Sequence, residues 1–407
     1  MTSNTRVVVI GAGLAGVRLA RRLGELGTPV TLIGEEEHRP YNRVLLAEVL
    51  AGRYTPDVIA LPAPAALTRA RVTGIDREAR TVECADGARI AYDTLVLATG
   101  SNPVLPPLRG LFTPDHVLPE GVHAFRTMDD CLGLSKAVRP GVKAVVIGGG
   151  LLGVSAARAL AQRGAQVILA QQSERLMERQ LDPSASKLVR RHLVDLGVEV
   201  HTDLRVRDVR CVGGAVRSVE MADGYALDAE IVVLACGVHP RVGLAQTAGL
   251  DVRKGIVVDD ELRTSDPHIH AIGDCAQHDG TVYGLATPAL EQADALAELL
   301  AAGFGDRGTR YTGTRSLTRL TLPGQTAFDL AAFGETEALP GDDVVQLTDA
   351  TRGTYRKVVV RDDRLVGGVL VGELGTVGAL ARAWEGAEPL PSDGGPLLHL
   401  LTNDGGS

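Results

Sequence analysis

The sequence contains no closely spaced cysteines. Its cysteines stand singly, at Cys84, Cys131, Cys211, Cys236 and Cys275. Scattered thiols in an odd number are typical of proteins kept in a reducing compartment. The N-terminal residues lead into a strand-like run without the hydrophobic region of a signal peptide. We therefore expect a cytoplasmic protein with reduced thiols.

The sequence also lacks a membrane-length hydrophobic segment and an excess of positive charge. No uncharged run approaches the roughly 20 apolar residues that a membrane helix requires. The formal net charge is −8, whereas nucleic-acid binding depends on a basic face. We therefore expect no nucleic-acid or membrane partner. The length of 407 residues predicts more than one domain.

Histidines form no recognisable metal-binding cluster. His268 and His270 flank one apolar residue in a strand-like segment, and the other histidines are isolated. Protein zinc sites use three or four converging ligands. We therefore predict no metal site.

Glycine, by contrast, is abundant, and one glycine-rich turn occurs twice. The sequence G-x-G-x-x-G runs from Gly11 to Gly16 and again from Gly148 to Gly153. A β-rich run precedes each turn, and apolar residues at helical spacing follow it, with Leu19, Leu23 and Leu26 after the first. This order predicts a strand, a tight turn and a helix in each copy.

The similarity between the two copies extends beyond the turns. Residues 93–103, with the sequence DTLVLATGSNP, return 137 residues later as EIVVLACGVHP at residues 230–240. The two glycine turns are separated by the same distance. Several landmarks at one offset indicate a duplicated domain. We predict an α/β protein with two Rossmann-like dinucleotide-binding domains.

The physical chemistry of the turn indicates what each copy binds. Glycines allow the backbone to approach a pyrophosphate, and the helix N-terminus offers unpaired N–H groups to it. Glu35 follows the second strand of the first copy, where an acid accepts hydrogen bonds from a ribose diol. A later strand ends at Gly273 and Asp274, and this carboxylate is placed to bind a ribityl hydroxyl. The first copy is therefore predicted to hold a flavin dinucleotide.

The second copy differs at the ribose-binding position. By the repeat offset Gln172 stands there, and Arg175 follows closely. A neutral amide tolerates a ribose diol, whereas an arginine could accept a 2′-phosphate. The sequence slightly favours NADH and leaves NADPH open.

The order of these motifs resembles the pyridine nucleotide-disulphide oxidoreductase family. The resemblance implies FAD in the first copy, NAD(P)H in the second, inserted copy, and a C-terminal α+β domain. It divides the chain into four segments: 1–115 and 241–306 for the two parts of the FAD domain, 116–240 for the NAD(P)H domain, and 307–407 for the C-terminal domain. Hydride passes between the cofactors, so no catalytic side chain is predicted.

The resemblance also implies two sets of cofactor-binding residues. The predicted FAD residues are Gly11, Gly13, Leu14, Ala15, Gly16, Glu35, Arg43, Val72, Ala98, Thr99, Gly100, Asp274 and Thr287. The predicted NAD(P)H residues are Gly148, Gly150, Leu151, Leu152, Gly153, Gln171, Gln172, Arg175 and Gly237.

Four stretches narrow the resemblance: residues 35–52, 176–183, 263–276 and 355–373. They are similar to the flavoprotein part of siroheme nitrite reductases and to electron-transfer subunits of assimilatory nitrate reductases. The chain has no clustered cysteines for an iron–sulphur centre or siroheme. We therefore expect it to pass electrons to a redox protein partner, a nitrate or nitrite reductase component or an iron–sulphur carrier.

Two other functions remain open. The chain could be a ferredoxin or rubredoxin reductase of an oxygenase system, or a non-catalytic flavin-binding redox sensor. The sequence leaves open whether it forms a homodimer.

Two local structures are also predicted. Residues 285–303 should form a helix, with Thr287 as its N-cap, Pro288 at the first helical position and Gly303 at its end. By resemblance, the N-terminus of this helix points at the pyrimidine side of the flavin ring. Residues 355–361 and 365–371 should form a hairpin, and the tail from Pro389 should be flexible.

The cysteines give a first testable prediction. Disulphide reductases of this family carry redox cysteines just after the first βαβ unit, but residues 38–52 contain none. A variant with all five cysteines replaced by serine or alanine should therefore keep most NADH-to-dye electron transfer, measured by dye absorbance. Loss of flavin reoxidation in a folded, FAD-loaded cysteine-free variant would reveal an overlooked redox thiol.

Overall fold

A computed structural model describes residues 6–62, 67–302, 310–315, 317–323, 328–349, 351–386 and 401. Within these residues the α-helices are α1 Leu14–Glu25, α2 Leu46–Leu50, α3 Met128–Ala137, α4 Leu151–Gln162, α5 Pro183–Asp195, α6 Gly243–Thr247, α7 Ala286–Ala302 and α8 Val377–Gly386. The strands are β1 Val7–Ile10, β2 Val30–Gly34, β3 Leu67–Arg69, β4 Val72–Asp76, β5 Thr81–Cys84, β6 Arg89–Ala91, β7 Thr94–Leu97, β8 Ser101–Pro103, β9 Val122–Ala124, β10 Lys143–Ile147, β11 Gln166–Ala170, β12 Glu199–His201, β13 Val206–Val212, β14 Ala215–Met221, β15 Ala226–Asp228, β16 Ile231–Leu234, β17 Val238–Pro240, β18 Ile256–Val258, β19 Ile269–Ala271, β20 Ala276–His278, β21 Leu317–Leu322, β22 Phe328–Gly334, β23 Asp343–Asp349, β24 Thr354–Arg361 and β25 Arg364–Val371.

The chain forms two compact units, each built from separate stretches of sequence. The first unit comprises Met1–Val104, Arg126–Cys131 and Val238–Thr314. The second comprises Leu105–Phe125, Leu132–Gly237 and Arg315–Ser407. The second unit thus contains most of the predicted NAD(P)H segment together with most of the predicted C-terminal segment. The predicted four-part division remains a prediction.

A parallel five-stranded sheet with the order β19-β7-β1-β2-β3 organises the first unit. Its central strand β1 is buried along its whole length, as expected for a parallel strand covered on both faces. Helix α1 buries Leu19 and Leu23 against this sheet. Leu26, predicted as part of the same apolar stripe, is exposed because α1 ends at Glu25 and the chain turns at Gly27.

The second unit repeats this arrangement in a parallel sheet with the order β12-β11-β10-β16-β9. Helix α4 starts and ends 137 residues after α1, and β16 lies at the same offset from β7. Each unit also carries a three-stranded antiparallel sheet, β4-β5-β6 in the first and β13-β14-β15 in the second. The structure therefore shows the duplicated α/β fold that the sequence predicts.

The C-terminal part of the second unit is an antiparallel sheet with the order β21-β22-β25-β24-β23, covered by α8 through Val377, Leu380 and Trp384. The predicted hairpin is β24 and β25, each one residue longer at its N-terminal end than predicted. Asp362 and Asp363 join the strands, both with positive φ (49° and 55°). A two-residue turn of this kind matches the twist of paired strands.

Helix α7 corrects one prediction. It begins at Ala286, so Thr287 is its second residue and not its N-cap. Pro288 is the third residue of the helix rather than the first. The first four N–H groups of a helix have no intrahelical acceptor, so proline fits at several positions of the first turn and does not determine the helix start. Gly303 and, apart from Leu401, the tail from Pro389 lie outside the described residues.

A buried charged network joins the C-terminal sheet to α5 inside the second unit. One Asp182 oxygen accepts the Ala185 N–H (2.9 Å) and caps α5. The other oxygen accepts the Tyr355 hydroxyl (2.5 Å) and the Lys357 ammonium (3.0 Å). Asp182 is 2% exposed and Lys357 9%. Breaking a buried ion pair leaves an uncompensated charge, which is strongly destabilising.

Asp182→Ala should therefore lower the free energy of unfolding by about 3–5 kcal/mol, because it removes a helix cap and leaves Lys357 unpaired. Urea denaturation measures this loss. Asp228→Ala is a matched control: Asp228 also pairs with a lysine, Lys143, at 2.7 Å, but both side chains are exposed. The control should change stability by less than about 1 kcal/mol. Equal effects of the two substitutions would contradict this account.

Candidate cofactor-binding sites

The first glycine turn packs so closely that two of its glycines have no room for a side chain. A Cβ at Gly11 would lie 2.1 Å from the carbonyl oxygen of Ala98, and Gly11 has a φ of +114°. A Cβ at Gly16 would lie 2.0 Å from the carbonyl oxygen of Gly11. Gly13 differs, because a Cβ there would meet no atom within 4 Å. Gly11 and Gly16 therefore serve packing, and Gly13 faces open space.

The second turn has the same construction. A Cβ at Gly148 would lie 2.4 Å from the carbonyl oxygen of Ala235, and one at Gly153 would lie 1.8 Å from that of Gly148. Gly150, in the position of Gly13, again has open space around it. The duplication therefore preserves the contact geometry of the turn.

Both helix N-termini after these turns are open. Gly13 and Gly150 are the N-cap residues of α1 and α4, and among the described residues no side chain caps either end. The predicted residues Leu14 and Ala15, and Leu151 and Leu152, provide the first backbone N–H groups of the two helices. Uncapped N–H groups at a helix N-terminus bind anionic oxygens such as those of a pyrophosphate.

A cavity of about 490 Å³ lies beside the first turn, within the first unit. Of the predicted FAD residues, this cavity is lined by Gly11, Gly13, Glu35, Arg43, Val72, Ala98, Thr99 and Gly100. Leu14, Ala15, Gly16, Asp274 and Thr287 are not among its lining residues. The structure thus brings eight of the predicted residues to one cavity.

Asp274 lies one contact away from the cavity wall. Its Oδ2 atom accepts hydrogen bonds from Ser101 Oγ and from an Arg126 N–H, both at 2.8 Å. Ser101 and Arg126 line the cavity. Gly273 packs between the first turns of α1 and α7, since a Cβ there would lie 3.1 Å from the Ala15 Cβ. The carboxylate is thereby fixed at the junction of two helix N-termini.

Glu35, the predicted ribose-binding acid, is paired with an arginine of the same unit. Arg241 donates to both Glu35 carboxylate oxygens, one of them at 3.0 Å. This hydrogen bonding lowers the pKa of Glu35, so the carboxylate is ionised at neutral pH. The Arg241 backbone is itself held, because its carbonyl accepts the Thr99 hydroxyl at 2.7 Å and its N–H donates to Gly100 at 2.9 Å.

Arg43 lies in a second polar cluster on the cavity wall. It donates to Glu36 and to the Tyr41 hydroxyl, the latter at 2.7 Å. Tyr41 donates to Glu36 (2.7 Å) and accepts the Met128 N–H (2.8 Å). Burial raises the pKa of Tyr41, so its hydroxyl keeps its proton. Glu36, which was not predicted as a site residue, orients Arg43.

The cavity lining contains more arginine than the sequence analysis predicted. The arginines are Arg39, Arg43, Arg71, Arg126 and Arg241, and the carboxylates are Glu35 and Glu36. The resulting positive charge suits a ligand that carries a pyrophosphate.

The residues that follow Arg126 carry a local sequence signal. The Asp130 carboxylate accepts the Thr127 N–H (2.8 Å), and the Thr127 hydroxyl accepts the Asp130 N–H (3.1 Å). This reciprocal capping box has the local signature T-x-x-D at the start of α3. It places Arg126 just before a helix. Arg71 and Arg241, in contrast, follow strands without such a signal.

At the second turn, Gln171 supports the glycines. Its side-chain oxygen accepts the Gly149 N–H at 2.7 Å, while the Met177 N–H donates to the Gly149 carbonyl at 2.9 Å. Residues 171–177 therefore lie against the turn. Gln172 is exposed, and Gly237 has a φ of +101° just after β16.

The side chain of Arg175 forms an ion pair with a carboxylate that was not predicted as a site residue. Its guanidinium donates to Glu337, which lies after β22 in the same unit. The side chain of Arg175 is 28% exposed. Arg175, which the sequence indicated as a possible partner of a 2′-phosphate, is thus paired with a carboxylate.

The cysteines are all free. Cys131 is fully buried and donates to the Leu46 carbonyl (3.4 Å). Burial raises the pKa of Cys236 to about 11, which keeps it protonated and unreactive at neutral pH. Cys211 is the exposed one.

The described part of the chain contains neither a metal-binding cluster nor a membrane-spanning helix. There, no group of three or more His, Cys, Asp or Glu side chains could hold a metal ion. His268 and His270 have different partners, Arg80 and the Glu261 carbonyl. No helix of these ranges has the length and apolarity needed to cross a membrane.

Two curated relatives match most of this chain. The assimilatory nitrate reductase electron transfer subunit of Bacillus subtilis is 34% identical over 90% of this chain and 48% of its own length. A probable ferredoxin reductase of Castellaniella defragrans is 35% identical over 67% of this chain and 68% of its own. The chain spans about half, or less, of the length of the nitrate and nitrite reductase relatives.

A solved structure matches the fold over nearly the whole chain. The covalent putidaredoxin reductase–putidaredoxin complex aligns with a TM-score of 0.85 and 26% identity, and it covers 98% of this chain and 99% of that one.

Two family models also match the sequence. One, described as pyridine nucleotide-disulphide oxidoreductase, matches residues 5–293, and the other, described as rubredoxin NAD+ reductase C-terminal domain, matches residues 325–385. These matches confirm the predicted resemblance, the α/β fold class, the oxidoreductase class, and FAD and NAD(P)H as the cofactors. The chain belongs to the pyridine nucleotide-disulphide oxidoreductase family.

Proposed function

We propose that this chain is an FAD-dependent NAD(P)H oxidoreductase that passes electrons to a separate redox protein. The proposal rests on the two glycine turns. They share the same close backbone contacts and the same open helix N-terminus, but their neighbouring residues differ. The first turn borders an arginine-lined cavity, and the second has a neutral glutamine after its strand. Two turns of this kind suit two different dinucleotides.

The residues of the first unit fit FAD. Gly13 leaves space where a side chain would fill the cradle, and the open N-terminus of α1 supplies N–H groups for phosphate oxygens. Arg43 and Arg126 add positive charge on the same cavity. Glu35 can accept ribose hydroxyls in addition to Arg241, because each carboxylate oxygen has more than one acceptor site.

At the other end of this site, Asp274 is the proposed acceptor for a ribityl hydroxyl. Arg126 and Ser101 hold its carboxylate in one orientation. The first turn of α7 lies beside Gly273, and its positive dipole end stabilises negative charge nearby.

The residues of the second unit fit NAD(P)H. Gly150 provides the open cradle, Leu151 and Leu152 the first N–H groups of α4, and Gln171 fixes the turn through Gly149. Gly237 and the exposed Gln172 complete the proposed set.

The bound cofactors would supply the redox chemistry, which is hydride transfer from NAD(P)H to FAD and electron transfer from FAD to an acceptor. The chain's own part is to bind and orient the dinucleotides. Its segment 38–52 offers no thiol for disulphide exchange, and the buried Cys131 is occupied by a backbone carbonyl. We infer that electrons leave to a docked protein in the cytoplasm.

The preferred acceptor is a nitrate or nitrite reductase component. The similarity to the Bacillus subtilis electron transfer subunit over 90% of this chain supports this choice. A ferredoxin or rubredoxin is the second candidate, favoured by the C-terminal match to rubredoxin NAD+ reductase and by the ferredoxin reductase relative.

Asp274→Asn tests the FAD site. It keeps the size of the side chain but removes the charge that Arg126 and a ribityl hydroxyl share. FAD affinity should fall about 5- to 150-fold, corresponding to about 1–3 kcal/mol. The measurement is the ratio of flavin to protein absorbance after dialysis.

The matched control is Asp294→Asn, because Asp294 also pairs with an arginine, Arg18 (2.7 Å), in the same unit but outside the cavity. This variant should keep its FAD. Stoichiometric FAD in both Asp274→Asn and Glu35→Gln would refute the assignment.

The acceptor is tested by reconstitution. With NAD(P)H the FAD-loaded protein should reduce an artificial dye, and nitrate or nitrite alone should be consumed at a negligible rate. Addition of the cognate nitrate or nitrite reductase component should restore consumption of the anion. Activity only with a ferredoxin or rubredoxin would favour the second candidate.

The absorbance of the flavin distinguishes a reductase from a redox sensor. Rapid anaerobic bleaching by NADH, followed by reoxidation on adding an acceptor, supports a reductase. Light scattering on the same sample determines whether the protein is a homodimer.

A further inference from the structure

Residues 171–177 of the second unit, here called the nucleotide segment, contact the C-terminal part of the same unit through Arg175. Residues 171–177 follow β11 and lie against the glycine turn through Gln171 and Met177. The end of the second strand is where a dinucleotide fold reads the adenosine ribose, distinguishing a 2′-hydroxyl from a 2′-phosphate. Arg175 is the cationic residue of this segment that carries an ion pair to the C-terminal sheet.

The partner of Arg175 is Glu337, and its position is fixed by the buried network described above. Lys357 donates to the Thr336 carbonyl at 2.8 Å and to Asp182 at 3.0 Å. The backbone before Glu337 is therefore tied to the N-cap of α5. Glu337 itself remains 58% exposed, so its carboxylate borders solvent beside the segment.

Arg175 donates to Glu337 through one guanidinium nitrogen. Its Nη2 atom donates to Glu337, whereas its Nε atom is buried and has no hydrogen-bond acceptor among the described residues. A guanidinium binds phosphate through several donors at once. A 2′-phosphate at this segment would thus compete with Glu337 for Arg175 and would face the charge of the carboxylate.

We propose that Glu337, a residue of the C-terminal domain, sets the nucleotide preference of the second unit by occupying Arg175 and disfavouring a 2′-phosphate. This inference rests on the proposed function, in which the second glycine turn holds NAD(P)H. A ribose 2′-hydroxyl carries no charge and requires no arginine, so the pair favours NADH.

Glu337→Gln tests this proposal by isothermal titration of the purified, FAD-loaded full-length protein with NAD+ and with NADP+. Affinity for NADP+ should rise about 5- to 50-fold relative to NAD+, because Arg175 is released and a negative charge is lost. The added substitution Arg175→Ala should abolish this gain.

Glu335→Gln is the matched control. Glu335 is an exposed carboxylate two residues away, and it pairs with Arg361 of the same sheet at 2.8 Å rather than with the nucleotide segment. This control should leave the ratio of the two affinities unchanged.

Three outcomes would overturn the inference. An unchanged ratio in Glu337→Gln, with equal weakening of both nucleotides, would show that the pair only holds residues 171–177 against the chain after β22. A preference of the unmodified protein for NADP+ would also contradict it. Binding of neither nucleotide to the unmodified protein would refute the proposed function, and this inference with it, whereas NAD+ binding with an unchanged ratio refutes this inference alone.

Discussion

The contact between a glycine turn and the carbonyl oxygen at the end of a neighbouring strand is the constraint on which the structure depends. It occurs twice, between Gly11 and Ala98 and between Gly148 and Ala235. Any side chain at either glycine would collide with backbone, which cannot move without displacing a central strand. The contact brings the turn down onto the sheet edge and leaves the following helix N-terminus open above it. The close packing of Gly11 and Gly148 therefore also shapes the open space beside Gly13 and Gly150.

What differs between the two copies is the charge around an otherwise common turn. In the first unit Glu35 and Glu36 each pair with an arginine of the cavity wall. Such pairs hold long side chains in place before a ligand arrives, which reduces the ordering cost of binding. In the second unit the equivalent strand end carries Gln171, whose amide serves the turn itself. The two copies thus share one scaffold and differ in a few residues after the second strand.

The features that could be predicted from sequence are those set by local chemistry. The 137-residue repeat, the strands beside both turns and the β24–β25 hairpin follow from glycine spacing and β-rich runs. The start of α7 could not be fixed, because proline is accepted throughout a first helical turn. Arg126, Arg241 and Glu337 were missed for another reason. Their hydrogen-bond partners lie 148, 206 and 162 residues away in the sequence, respectively. No periodicity in the sequence encodes such pairings.

The C-terminal sheet constrains the second unit through the arrangement of its buried charges. Lys357 is nearly inaccessible, and its ammonium has two oxygen partners, the Asp182 carboxylate and the Thr336 carbonyl. A buried ammonium is stable only when such acceptors surround it, so the strand that carries Lys357 cannot shift relative to α5 without a large cost. This requirement fixes the chain around Glu337 against the segment after β11. A stability determinant of the second unit therefore also determines which charge stands beside residues 171–177.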